Sequence, residues 1–169
     1  MPAVPPTSPQ LGLPRFASDS GTRIWDLLNS VVDRIDNLFG GWTAYNPVWS
    51  QSNGTVLSVG AGSLVGRYKK LGKTVHVQIR LERAADSNLG TGPWIFSLPS
   101  EVTQRSWNML GGGFAMYRDG AWFGGSVFPV ATGSVGAMVG DLGRVSNNVP
   151  KTTHAAGDWY SIQATYEAA

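Results

Sequence analysis

The stretch Thr74-Val75-His76-Val77-Gln78-Ile79-Arg80-Leu81 alternates between polar and apolar side chains without a break. In an extended strand successive side chains point to opposite faces, so Val75, Val77, Ile79 and Leu81 share one face and Thr74, His76, Gln78 and Arg80 the other. A helix would scatter the same residues around its axis and bury none of them coherently. The stretch therefore demands a sheet with one buried face. It needs a partner strand, and Ser63–Lys69 supplies one across the turn Lys70-Leu71-Gly72-Lys73, where Gly72 can take a positive φ.

The same grammar continues to the end of the chain. Further strands are expected at Trp94–Leu98, Trp107–Arg118, Ala121–Val130, Ser134–Val139 and Asp158–Glu167. Asp119-Gly120 between two of them is a strong two-residue hairpin signal. With 22 Gly and 10 Pro the chain is rich in turns, which favours many short strands over long helices. Gly111-Gly112-Gly113 and Gly124-Gly125 are expected to mark bulges or close backbone approaches. The fold class that follows is mainly β: an antiparallel, jelly-roll-like sandwich over residues 42–169.

Ahead of it lie two segments of different composition. Residues 1–17 hold five of the ten prolines and read as an extended attachment arm. Residues 18–41 contain the one convincing helix, expected from about Thr22 to Leu38 and stopped by Gly40-Gly41. Ile24, Leu28, Val31, Ile35 and Leu38 fall at the a/d spacing of a coiled coil, so this helix is expected to join copies of the chain, with packing against its own domain as the alternative. Its core residues leave the number of strands open: Val31 disfavours a dimer, whereas Ile35 with Leu38 favours one.

Composition excludes several functions. A net charge of +2 without a basic run beyond Lys69-Lys70 gives no case for nucleic acid. The absence of cysteine removes disulfides and thiolate metal sites. No apolar run is long enough to span a bilayer, and the N-terminus lacks the basic and apolar regions of a signal peptide, so cytoplasmic synthesis is expected. His76 and His154 stand apart, with no second histidine at ligand spacing. No G-x-S-x-G elbow is present, and Gly60-Ala61-Gly62-Ser63 lacks the Lys-Ser/Thr ending of a phosphate loop. Asp86, Glu101, Asp119, Asp141 and Asp158 fall in loops or strand ends, where carboxylates serve as turn formers. No catalytic residue, metal ligand or cofactor is assigned.

Aromatics carry the remaining signal. Trp94 and Trp159 are expected in the core, with Trp42 and Trp49 at the helix–sheet junction. Trp107, Tyr117 and Trp122, with Asp119, flank the expected hairpin and form the candidate surface for a sugar or a protein partner.

The spacing Trp42-x-x-Tyr45-x-Pro47-x-Trp49 is followed by Gly62, Gly66, Arg67, Tyr68, Gly72 and Val75, then by Trp94, Phe96, Ser97, Leu98 and Pro99. Together with the closing "IQATYEA", this pattern resembles a β-rich module of bacteriophage tail and virion surface proteins, especially in phages of actinobacteria. The likeness covers roughly residues 13–99 and the last strand; residues 105–157 have no counterpart in it. It implies a non-enzymatic virion structural protein whose sandwich assembles as a homotrimer, attached to other virion proteins through residues 1–40. Two placements are open. The first is a tail-fibre or tail-tip module that binds a host cell-surface glycan; the alternative, towards which the short anchor shifts weight without displacing the first, is a capsid decoration or head-fibre protein.

Overall fold

The computed structural model describes residues 23–102, 104–150 and 155–169; the side chains of residues 23–25, 27, 37, 105–110 and 141 are outside the described set. The expected Pro-rich arm, His154 and the side chains of Ile24 and Trp107 therefore lie outside the described residues. The chain divides into two compact units, Met1–Trp42 and Thr43–Ala169.

In the first unit, helix α1 runs Arg23–Phe39 and carries Asp26 in its first turn, where a negative charge suits the helix dipole. The Gly40 N–H closes it by donating to the Asp36 carbonyl. Leu28, Val31, Ile35 and Leu38 are all exposed, at 36 to 47% of their full surface. The stripe is thus an apolar face open to solvent.

The second unit is one continuous antiparallel sheet. Its strands are β1 (Thr43–Tyr45), β2 (Trp49–Gln51), β3 (Ser63–Leu71), β4 (Thr74–Glu82), β5 (Trp94–Ser97), β6 (Gln104–Arg118), β7 (Ala121–Ala131), β8 (Ser134–Val139), β9 (Gly143–Arg144) and β10 (Trp159–Ala168). They lie in the order β1-β3-β4-β10-β6-β7-β8-β5-β2, with β9 beside β8. The opening hairpin forms in the expected register, Leu71 opposite Thr74, with Gly72 at φ 62°. The second hairpin pairs Arg118 with Ala121 around Asp119 (φ 51°) and Gly120 (φ 73°), the two positive φ values of a type I′ turn.

The first and last strands of that order are neighbours in sequence. Only Asn46-Pro47-Val48 separates β1 from β2, and three residues reach at most about 10 Å. The sheet must curl until its two edges approach each other. Ser97 of β5 locks the approach: its N–H donates to the Val48 carbonyl (3.0 Å), its hydroxyl accepts from Val48 N–H (2.8 Å), and its carbonyl accepts from the Tyr45 hydroxyl (3.2 Å). To the expected antiparallel β architecture the strand order thus adds continuity: the two layers are one sheet bent onto itself.

Curling separates an inner face from an outer one. Val75, Val77, Ile79 and Leu81 of β4 meet Tyr160, Ile162, Ala164 and Tyr166 of β10 on the inside, together with Phe114, Met116, Val127, Val135 and Ala137. Trp49 stands edge-on to Trp94 (5.0 Å), and Trp94 edge-on to Tyr160 (5.1 Å), filling the centre. Trp49 is therefore a core residue and not a seal at the helix–sheet junction, because its position in β2 points it inward at 2% exposure. Burial raises the Tyr45, Tyr160 and Tyr166 phenols well above the usual range, so these hydroxyls stay protonated in the interior.

The glycine pairs act as expected at two points. Between Thr165 and Tyr166 the partner on β6 jumps from Gly111 to Met109, a bulge beside the glycine run. At Gly125 a Cβ would run into the Met138 backbone carbonyl, whereas at Gly124 the nearest atom would be the Phe114 carbonyl at 3.7 Å. Gly125→Ala is expected to cost about 2–3 kcal/mol by overpacking against backbone, and Gly124→Ala less than about 0.5 kcal/mol. Denaturant unfolding of the two variants checks the contrast.

Candidate functional site

Outward parity assembles the site. Tyr117 of β6 lies opposite Trp159 of β10 on one side and Trp122 of β7 on the other. All three point away from the packed interior, because Met116, Tyr160 and Phe123, their neighbours in sequence, pack into or against it. Strands two apart are about 9.6 Å distant, yet the Trp122 and Trp159 rings meet edge-to-face at 5.0 Å. The two indoles therefore lean towards each other across β6, and Tyr117 tilts against Trp122 at 5.3 Å. Trp122 remains 65% exposed. The result is an aromatic platform at the outer end of three strands.

Beneath it the hairpin is held by charge. Arg118, next to Tyr117, points inward and is fully enclosed. Its Nη2 donates to the Asn147 carbonyl at 2.9 Å. Burial pulls the guanidinium below its usual range, and Tyr160, Asp158 and Asp119 pull the other way. Asp158, itself 3% exposed, accepts from Ala155 N–H (2.8 Å) and from Asp119 N–H (3.4 Å). This network ties the Asp119-Gly120 turn to the loop that enters β10, and so fixes Trp122 relative to Trp159.

Beside the platform, on the same face, is a shallow concavity of about 450 Å³. Ala44, Val65, Arg67, Arg80, Gln78 and Ser161 line it with outward side chains, and Gly66 and Ile79 contribute backbone. Arg67 Nε donates to Gln78 Oε1 at 2.8 Å, and Arg80 lies 3.6 Å from Glu82. Its floor next to the platform is low because Ala115 and Gly124 occupy the adjoining row of β6 and β7.

Of the candidate surface, the structure brings Tyr117 and Trp122 together. Asp119 is the exposed turn residue between them, engaged through its backbone N–H. Trp107 is placed elsewhere: its backbone lies ten residues from Tyr117 along β6, roughly 30 Å of extended strand. Closeness to a hairpin in sequence does not survive along a strand this long. Trp159 takes the third place and corrects its assignment to the core. The alternation of β10 carried that signal, since Tyr160, Ile162, Ala164 and Tyr166 are the buried set and Trp159 falls with Ser161, Gln163 and Thr165.

The remaining sequence candidates have structural settings. His76 Nδ1 lies 3.0 Å from Thr165 Oγ1 on the outer face. Asp86 accepts from Ala61 N–H at 2.9 Å, holding the Gly60-Ala61-Gly62 turn. Among the described residues no group of three His, Asp or Glu side chains is arranged to hold a metal ion, and no helix is long and apolar enough to cross a membrane. Comparison of the chain with models of protein families, with curated proteins and with solved structures found no match in any of the three.

Removing the buried cation should loosen the platform from below. Arg118→Ala removes the enclosed guanidinium and its bond to the Asn147 carbonyl and is expected to cost about 1–3 kcal/mol. Thermal unfolding followed by tryptophan fluorescence checks this.

Proposed function

We propose that the chain is a non-enzymatic recognition module that binds glycan on its outer face and is displayed in several copies through α1. The observation that carries the reading is the Tyr117–Trp122–Trp159 platform, in which a tryptophan stays 65% exposed beside a core already full of aromatics. Pyranose rings present a face of C–H groups that packs on an aromatic ring, with hydroxyls left at the rim for polar neighbours. A solvent-facing aromatic cluster bordered by Ser161, Gln78 and Arg80 suits that chemistry. The resemblance to phage surface modules supports a place on a virion, with a host-surface glycan as the target. The exposed stripe of α1 favours a self-assembled display, and the same stripe serves the capsid-decoration alternative.

Labelled full-length protein is expected to bind intact host cells, and Trp122→Ala to lower that binding about tenfold or more while leaving the unfolding midpoint unchanged. Undiminished binding by Trp122→Ala would refute the platform. Labelling of whole virions separates the two placements, since signal over the head would exclude the tail.

For assembly, sedimentation of the full chain is expected to give a trimer, and Leu28→Asp with Ile35→Asp a folded monomer. A wild-type monomer at micromolar concentration would remove the assembly proposal.

A further inference from the structure

We infer that the glycan bound at this platform is acidic, its anionic substituent held by Arg80 and Arg67; the inference rests on the platform reading above. Register places the two parts of the site side by side. Trp159 is opposite Glu82, and Ser161, two residues further along β10, is opposite Arg80. With the indoles leaning over β6, two residues along a strand and two strands across amount to about 12 Å from the indole pair to the Arg80 position, the span of two or three sugar residues. A saccharide of that length stacked on the indoles therefore reaches into the concavity.

The chemistry of that concavity is one-sided. Among the described residues two guanidinium side chains line it and no carboxylate does. Ser161 and Gln78 add neutral hydrogen-bonding groups, and Ala44 keeps the rim low. Arg67 spends its Nε on Gln78, a bond that fixes the orientation of its planar fork. The Arg80 side chain is 61% exposed and touches Glu82 at 3.6 Å, too long for a close charge-assisted bond. An incoming carboxylate or phosphate can therefore draw Arg80 away at little cost, because exposed ion pairs contribute about 0–1 kcal/mol. Glu82, on the platform side of Arg80, competes with an anion and discriminates against one placed on the indoles themselves.

Carboxylate-bearing and phosphate-bearing sugars share this chemistry, and the experiment separates them. Full-length protein is applied to an array carrying neutral oligosaccharides, uronate- and sialate-containing oligosaccharides, and poly(glycerol phosphate) with glycosyl substituents. Binding to the charged members is expected, weakening as salt rises from about 0.05 to 0.3 M. Arg80→Gln is expected to lower it about tenfold, the loss of one charge-assisted contact. Glu82→Gln is expected to strengthen it about two- to threefold by removing the competitor. Whichever charged class is retained identifies the anion. Equal binding of neutral members, or acidic binding untouched by Arg80→Gln, would overturn the inference, and loss of that binding in Trp122→Ala would leave the platform standing. An array without signal for the wild-type protein would overturn both.

Discussion

Everything in the β unit follows from the sheet having to close on itself. Asn46-Pro47-Val48 joins strands that sit at opposite ends of the hydrogen-bonded order, and the Ser97 contacts to Tyr45 and Val48 secure the join. Once the edges meet, each strand residue is either inside or outside, and alternation decides which. The inside is committed to Trp49, Trp94, Tyr160 and the aliphatic rows around them. An aromatic residue on the other parity has no interior to enter. Tyr117, Trp122 and Trp159 are outside because the closed sheet leaves them nowhere else to be.

Exposure alone would give loose side chains, and the enclosed charge below them prevents that. A type I′ hairpin is rigid in its turn yet free to swing as a unit. Here Arg118 reaches the Asn147 carbonyl and Asp158 reaches the Asp119 N–H, so the hairpin is fastened to two other loops. The cost of enclosing a guanidinium is only partly offset by nearby Asp158 and Asp119, since burial still leaves it below its usual range. Packing energy spent under the turn becomes geometric definition of the platform above it, which is what a stacking site needs to bind without first ordering itself.

Much of this was legible in the sequence. The Thr74–Glu82 alternation, the Gly72 and Asp119-Gly120 turns, and the α1 stripe all depend on spacing within a few residues, which the chain carries locally. Three short strands, β1, β2 and β9, were not legible, because two or three residues hold no period; they exist only through long-range pairing. The same limit separated Trp107 from Tyr117 and brought in Trp159, which pairs with Tyr117 from 42 residues away in the chain. Local pattern could say that Trp159 faces opposite to Tyr160. It could not say which strand would lie beside it. Nor could it find the concavity, whose lining comes from β1, β3, β4 and β10.

The two exposed apolar features, the platform and the α1 stripe, are each weak alone and reinforce each other on the proposed reading. A single sugar residue of about a dozen heavy atoms, held at about 0.3 kcal/mol per atom, binds only in the millimolar range. A surface that presents many copies of that sugar changes the requirement. Copies of the chain joined through Leu28, Val31, Ile35 and Leu38 would present several platforms at once, and multivalent engagement raises apparent affinity by about 10²–10⁴. The gain needs no new contact at the platform. On that reading the helix would be as much a part of recognition as the tryptophans, and one chain would combine a curled sheet packed on its inner face with a helix whose described apolar residues are exposed.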